Sequence, residues 1–377
     1  MARPLIADGH LDVAMNALEL NRDQTRSVEE IREREKELLV SSQGAHRVGE
    51  KGRGVNTTSL PEMRRGDVFL GFATLMARTA HPTNDYEGYD GQEICYAAAR
   101  GQLAYYELLE SRGALRMLRD WEDVREHLDD WRAYAGGRAS EAAGDAPGDA
   151  PPVGIVLAME GADPILAPEQ LEEWWSRGLR MVSLAHYGRS SYADGTGCDG
   201  GLTERGPAML EALEEAGVIL DLTHLTDQAF WEALEHFSGP VAASHSNSRA
   251  LVSGGRQLDD EQLQAIVDRD GVVGVAMDTW MLQEGWEKGV YNEVTATMET
   301  VVDHVEHVCD LAGDARHVAI GSDLDGGFGL EQVPRDLDTV ADLQRVPEIL
   351  RARGYDEDDV DRVAHGNWLR LLEEAWT

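Results

Sequence analysis

Cysteine is scarce in this chain. Cys95, Cys198 and Cys309 are far apart, odd in number and never arranged as C-x-x-C. That argues against a disulfide framework and against thiolate chemistry, and fits a reducing compartment. Positive charge is also in short supply: 34 Lys and Arg face 70 Asp and Glu, for a net charge of −36. Such a surface repels phosphates and anionic lipid, so neither nucleic acid nor a membrane surface is an expected partner. Long apolar runs are missing. No window approaches the about 18 apolar residues that would span a bilayer. The opening MARPLIADGH lacks the apolar stretch of a secretion signal. A soluble cytoplasmic protein is expected. No G-x-G-x-x-G follows the first apolar run, which weighs against a dinucleotide-binding fold.

The chain has 377 residues, 42% of them hydrophobic, enough for a large core. Eight short apolar runs recur: 4–8, 68–75, 154–160, 180–186, 217–224, 240–246, 271–277 and 317–323. They are continuous rather than alternating, as in parallel strands buried on both faces. Amphipathic stretches separate them. TERGPAMLEALEEAG (203–217) offers Thr203 as an N-cap and ends at Gly217; 258–271 and 293–313 read as helices too. Eight strand–helix units predict an α/β fold, a (β/α)8 TIM barrel. The alternative is an open doubly wound sheet, and the count of eight favours the barrel. Long insertions follow the first two strands. The second ends in GGRASEAAGDAPGDAPP (136–152), which reads as a flexible surface loop. The strand series continues beyond it, so residues 1–377 are expected to form one domain.

In such a barrel the chemistry sits at the C-terminal ends of the strands. There the runs place His10 and Asp12, Glu160, His186, His224, His245 and Asp323. A lone strand-end histidine is usually structural, and a lone Asp there is usually a helix cap. Closure of a barrel brings all seven together. Four imidazoles and three carboxylates crowded in that way are costly without a cation. The set therefore points to a metal centre with N and O ligands. Two ions sharing a carboxylate bridge would hold a hydroxide and favour hydrolysis. Glu160 stands alone on its strand and is the natural bridge.

DGHLD, MEG, LAH, DLTH, SHS and GSDLDG, in this order, resemble the membrane (renal) dipeptidase family of the amidohydrolase superfamily. The likeness runs from residue 6 to about 370 and includes HGNWLRLL near the end. It implies a dipeptidase with two zinc ions per chain. His10, Asp12 and Asp323 would hold one ion and His224 and His245 the other, with Glu160 bridging. Other divalent metals suit the same ligands. His186 matches the family's substrate-binding histidine, Arg256 its substrate-carboxylate arginine and Asp323 its proton shuttle. The substrates implied are short dipeptides, L-L and L-D, cut by a metal-bridging hydroxide. The family often forms homodimers. Its disulfides, secretion signal and lipid-anchor tail have no counterpart here. His81, Asn84, Asp85 and Tyr86 could line the pocket or be ordinary loop residues. The alternatives are an N-acyl amino acid deacetylase or a cyclic-amide hydrolase on the same barrel, or a non-catalytic metal-binding relative. H-x-D and Glu160, where those hydrolases use H-x-H and a carboxylated lysine, argue against the first two. The complete ligand set argues against the last.

Overall fold

The computed structural model describes residues 3–41, 52–81, 87–140, 150–288 and 293–377. Among the described residues, nine parallel strands form one sheet: β1 (Ile6–Leu11), β2 (Val68–Met76), β3 (Leu115–Met117), β4 (Val153–Glu160), β5 (Leu179–Ser183), β6 (Ile219–Asp221), β7 (Val241–Ala243), β8 (Val272–Val275) and β9 (Val318–Ile320). Their order is β2-β1-β9-β8-β7-β6-β5-β4-β3, and β2 also pairs with β4 from Leu70↔Gly154 to Met76↔Glu160. That pairing closes an eight-stranded barrel, the expected (β/α)8 fold. The ninth strand, β3, lies outside the closed ring and pairs with the start of β4. Its three residues have Arg116 in the middle, so no apolar run marks it in the sequence.

Successive residues of a strand face opposite sides, and the core divides accordingly. Ile155 and Leu157, Val241 and Ala243, and Val318 and Ile320 pack in the large cluster between barrel and helices. Their neighbours Val156, Ala242 and Ala319 join Ala7, Met181, Ile219 and Val272 in a second cluster. Trp368, from the helix Asn367–Trp376, belongs to the same cluster, with Ala7, Ala242 and Ala319 among its members. Its ring tilts against Phe72 and its Nε1 donates to Ile320 O at 2.8 Å. Asn367 donates to Ala315 O and Val318 O. The HGNWLRLL motif is thus the plug of the barrel. Gly9 makes room for it, since a Cβ there would overlap Trp368 and approach Ser244 O to 2.8 Å.

The helices start and stop largely where the sequence places them. Asp259 and Gln262 form a capping box on Asp260–Asp268, and Gly217 and Gly313 end their helices in the left-handed region. Thr203 is not an N-cap: the helix begins at Gly206, and Thr203 Oγ1 accepts from Arg205 N instead. The stretch 136–152 is not loop throughout. The helix Trp121–Ser140 runs into it, while 141–149 lie outside the described residues. Among the described residues, no helix is long and apolar enough to cross a membrane.

Candidate metal centre

The strands stop short of most of the predicted ligands. Glu160 is the last residue of β4, but His186, His224 and Asp323 lie three residues beyond β5, β6 and β9, and His245 two beyond β7. His10 is within β1 and Asp12 one residue after it. His224 and Asp323 adopt left-handed backbone, with φ of 69° and 58°. Non-glycine residues seldom do so, and they cluster at functional sites.

Glu160 is the hub. Its Oε1 lies 3.2 Å from His224 Nε2, 3.4 Å from His245 Nε2 and 3.6 Å from both His10 Nε2 and His186 Nε2. His10 Nε2 is also 3.8 Å from Asp323 Oδ1 and 4.0 Å from Asp12 Oδ2. Three sets of donor atoms each fall within 4.8 Å of one another: His10, Glu160 and His245; Glu160, His186 and His224; and His10, Asp12 and Asp323. All seven side chains predicted as strand-end donors have converged. β8 adds none of them. Asp278, beyond its end, is held by Trp280 Nε1 and Gln332 Nε2.

Burial sets the electrostatics. It pushes the Asp12 carboxyl up to about 6, and it holds Glu160 and Asp323 well above the usual carboxylate range, with the negative charge of Asp12 adding to the effect on both. Burial likewise lowers His10 to about 3 and keeps His186, His224 and His245 well below normal, reinforced by the Arg256 charge. These are neutral imidazoles facing carboxyls that resist ionisation. A divalent cation reverses that balance.

The outer partners fit such an ion. Ser244 Oγ donates its one proton to Asp221 Oδ2 at 2.6 Å, so at 2.8 Å it accepts from His245 Nδ1. The His245 proton is therefore on Nδ1 and the Nε2 lone pair faces Glu160. His10 Nδ1 lies 3.4 Å from the same hydroxyl, and its buried Nε2 has no hydrogen-bond partner. Thr196 Oγ1 meets His224 Nδ1 at 3.0 Å, and Thr74 Oγ1 donates to Asp12 Oδ1. Asp8 ties the His10 backbone to the serine that precedes Asp323. It accepts from His10 N at 3.3 Å, Ser322 N at 2.8 Å and Ser322 Oγ at 2.5 Å.

Arg256 is buried at the same mouth. It donates to His245 O at 2.7 Å and Ser246 Oγ at 3.2 Å and, among the described residues, makes no ion pair. Of the loop after β2, Asn84, Asp85 and Tyr86 lie outside the described residues, and His81 is half-buried. The sequence reading missed Arg78, whose Nη1 lies 2.5 Å from His186 Nδ1. It also assigned no role to Ser244, Ser322, Thr74 or Thr196. One signal was available: a serine directly precedes both His245 and Asp323.

Known proteins share this architecture. A metallopeptidase described as a dipeptidase of family M19 superposes with a TM-score of 0.75 at 24% identity, covering 99% of both chains. A Rhodobacter sphaeroides metallopeptidase, crystallised with a phosphinate mimic of L-Ala-D-Ala, gives 0.74 at 24% identity over 99% of this chain and 100% of that one. Dipeptidase tcpJ of Claviceps purpurea is 31% identical over 205 residues, 52% of this chain and 45% of that protein. Dipeptidase aclJ of Aspergillus oryzae is 31% identical over 59% of this chain and 52% of that protein. The match thus spans about half the length of these fungal relatives. The family model for membrane dipeptidase matches residues 1–377, and the chain belongs to that family, peptidase family M19.

Proposed function

We propose that this chain is a binuclear zinc dipeptidase that hydrolyses L-L and L-D dipeptides. Residues 1–377 act as one metallohydrolase domain in this reading. The observation that supports it most is the position of Glu160, whose Oε1 is 3.2–3.6 Å from the Nε2 of four histidines. His10, Asp12, Asp323 and Glu160 would hold one ion, and His224, His245 and Glu160 the other. Bound divalent ions supply Lewis acidity and a water of lowered pKa.

The chain's own groups do the rest. Asp323, with 14% of its side chain exposed at the edge of the site, takes the proton of the attacking water and passes it to the leaving amine. His186 donates to the scissile carbonyl oxygen, an interaction that strengthens as negative charge develops there. Arg256 has donors left over after His245 O and Ser246 Oγ. They grip a free α-carboxylate by two parallel hydrogen bonds and so restrict substrates to short peptides. A D-residue at the C-terminal side is in keeping with the L-Ala-D-Ala mimic bound by the Rhodobacter relative.

Metal analysis is expected to return two zinc ions per chain. A panel of L-L and L-D dipeptides beside N-acyl amino acids tests the reaction. Turnover of the acyl compounds alone would sink the dipeptidase reading, and a chain purified gently without metal would sink the binuclear one.

A further inference from the structure

Arg78 stands two residues beyond β2. Its Nη1 meets His186 Nδ1 at 2.5 Å. A guanidinium has only donors, so the imidazole nitrogen facing it must accept. A neutral imidazole carries one proton, and with Nδ1 accepting, that proton sits on Nε2. His186 Nε2 is the atom turned toward Glu160. His245 is the opposite case: its Nδ1 donates to Ser244 Oγ, and its Nε2 offers a lone pair.

We propose that Arg78 is a positioning residue that fixes His186 as its Nε2–H tautomer, making it a hydrogen-bond donor to substrate and removing it from the metal ligands. His186 lies in one of the three donor sets by distance alone. Its protonated Nε2 has no lone pair for an ion, so a second ion would be held by Glu160, His224 and His245.

Arg78 is built to hold this pose. Its Nε donates to Glu87 O at 2.7 Å, and its guanidinium lies 5.9 Å from the centroid of the Tyr187 ring. Backbone bonds Tyr89 N to Arg78 O and Ala80 N to Tyr89 O pin the strand on either side. Thr79 N and Oγ1 both donate to Asp163 Oδ2, and Asp163 Oδ1 accepts from Ser191 N. The segments after β2, β4 and β5 are thereby stitched around His186.

The donor role toward a peptide carbonyl rests on the proposed dipeptidase reading; the tautomer does not. The test is 1H–15N correlation of histidine side chains in the zinc-loaded protein, with the His186 signals assigned by their loss in His186→Asn. The expected wild-type pattern is an unprotonated Nδ1 and a protonated Nε2 for His186, and the reverse proton position for His245. In Arg78→Met the His186 pattern should change while zinc content stays the same. Arg78→Lys, which keeps a donor-only cation, should restore it in large part. The kcat for a dipeptide should fall about 10- to 100-fold in Arg78→Met, part of the loss seen when an oxyanion donor is removed, with KM little changed. A proton on His186 Nδ1 in the wild type, or an unchanged pattern in Arg78→Met, overturns the proposal. If the pattern is as expected but no dipeptide is cleaved, the tautomer assignment stands and the dipeptidase reading falls.

Discussion

Asp8 and Asp221 perform the same task at two places in the barrel. Each accepts from the backbone N–H two residues on, His10 or Thr223, and from both the N–H and the hydroxyl of a serine on the adjacent strand's exit, Ser322 or Ser244. Each serine directly precedes a proposed ligand, Asp323 or His245. Two buried carboxylates thus clamp two ligand-bearing turns against their neighbours. Asp221→Ala frees Ser244 and leaves His245 unoriented. Zinc affinity should fall about 10- to 100-fold, as when other outer partners of a metal ligand are lost. Competition with a coloured chelator measures it, and unchanged affinity would show that the clamp is idle.

Glu160→Gln keeps the shape of the hub and removes its charge. The expected result is a drop from two zinc ions to one or none, with turnover reduced by more than about 100-fold, the upper range for loss of an outer partner. Elemental analysis beside kcat decides the matter. Full occupancy in this variant would remove Glu160 from the bridge.

Arg256→Met tests the carboxylate grip. The kcat/KM for a dipeptide should fall by roughly 2 kcal/mol, the scale of a charged hydrogen-bonded pair. Its C-terminal amide, which offers no carboxylate, should lose little. Equal losses for both would place Arg256 in a structural role only.

Protons and zinc compete for the same atoms, and the direction can be worked out. Folding raises Asp12 from 3.8 to about 6, so its protonated form is favoured and its contribution to the metal-free protein is lost as pH rises through about 6. Folding lowers His10 from 6.5 to about 3, so its neutral form is favoured and its contribution is lost as pH falls below 6.5. Zinc needs the deprotonated form of both. The gap in Tm between zinc-loaded and metal-free protein should therefore widen from pH 5 to pH 7 and then level off. A gap independent of pH across that window contradicts these ligands.

Gly9→Ala places a methyl group against Trp368 and Ser244 O. Overpacking of this kind costs about 1–3 kcal/mol, more where backbone must move. Urea unfolding of the metal-free variant should show a lower midpoint with an unchanged m-value.

The barrel was legible because its eight strands are buried on both faces, and continuous runs such as GIVLAME and GVVGVAM stand out against charged helices. Six motifs were legible because each donor follows a run directly. Residue numbers along a strand end are enough to place Glu160 or His245. They are not enough to place Arg78, whose approach to His186 depends on a loop path between β2 and the next helix. Nor do they reveal that Ser244 touches both His245 and His10, since that contact arises from packing of β7 against β1 across the barrel. Thr203 misled because a threonine before an acidic stretch mimics a cap, while the fold spends its hydroxyl on Arg205 N.

The plug by Trp368 also sets an order of events during synthesis. β1 is made before β2, its partner at Ile6↔Val68. Its other edge stays open until Ile320 has been made, the partner of Asp8. The space beneath Gly9 stays open still longer, until the helix Asn367–Trp376 is released. Until Ile320 is made, the strand carrying His10 has one open edge, the kind that invites pairing with another chain. A nascent chain stalled before residue 320 therefore leaves that edge without its β9 partner and open to other chains.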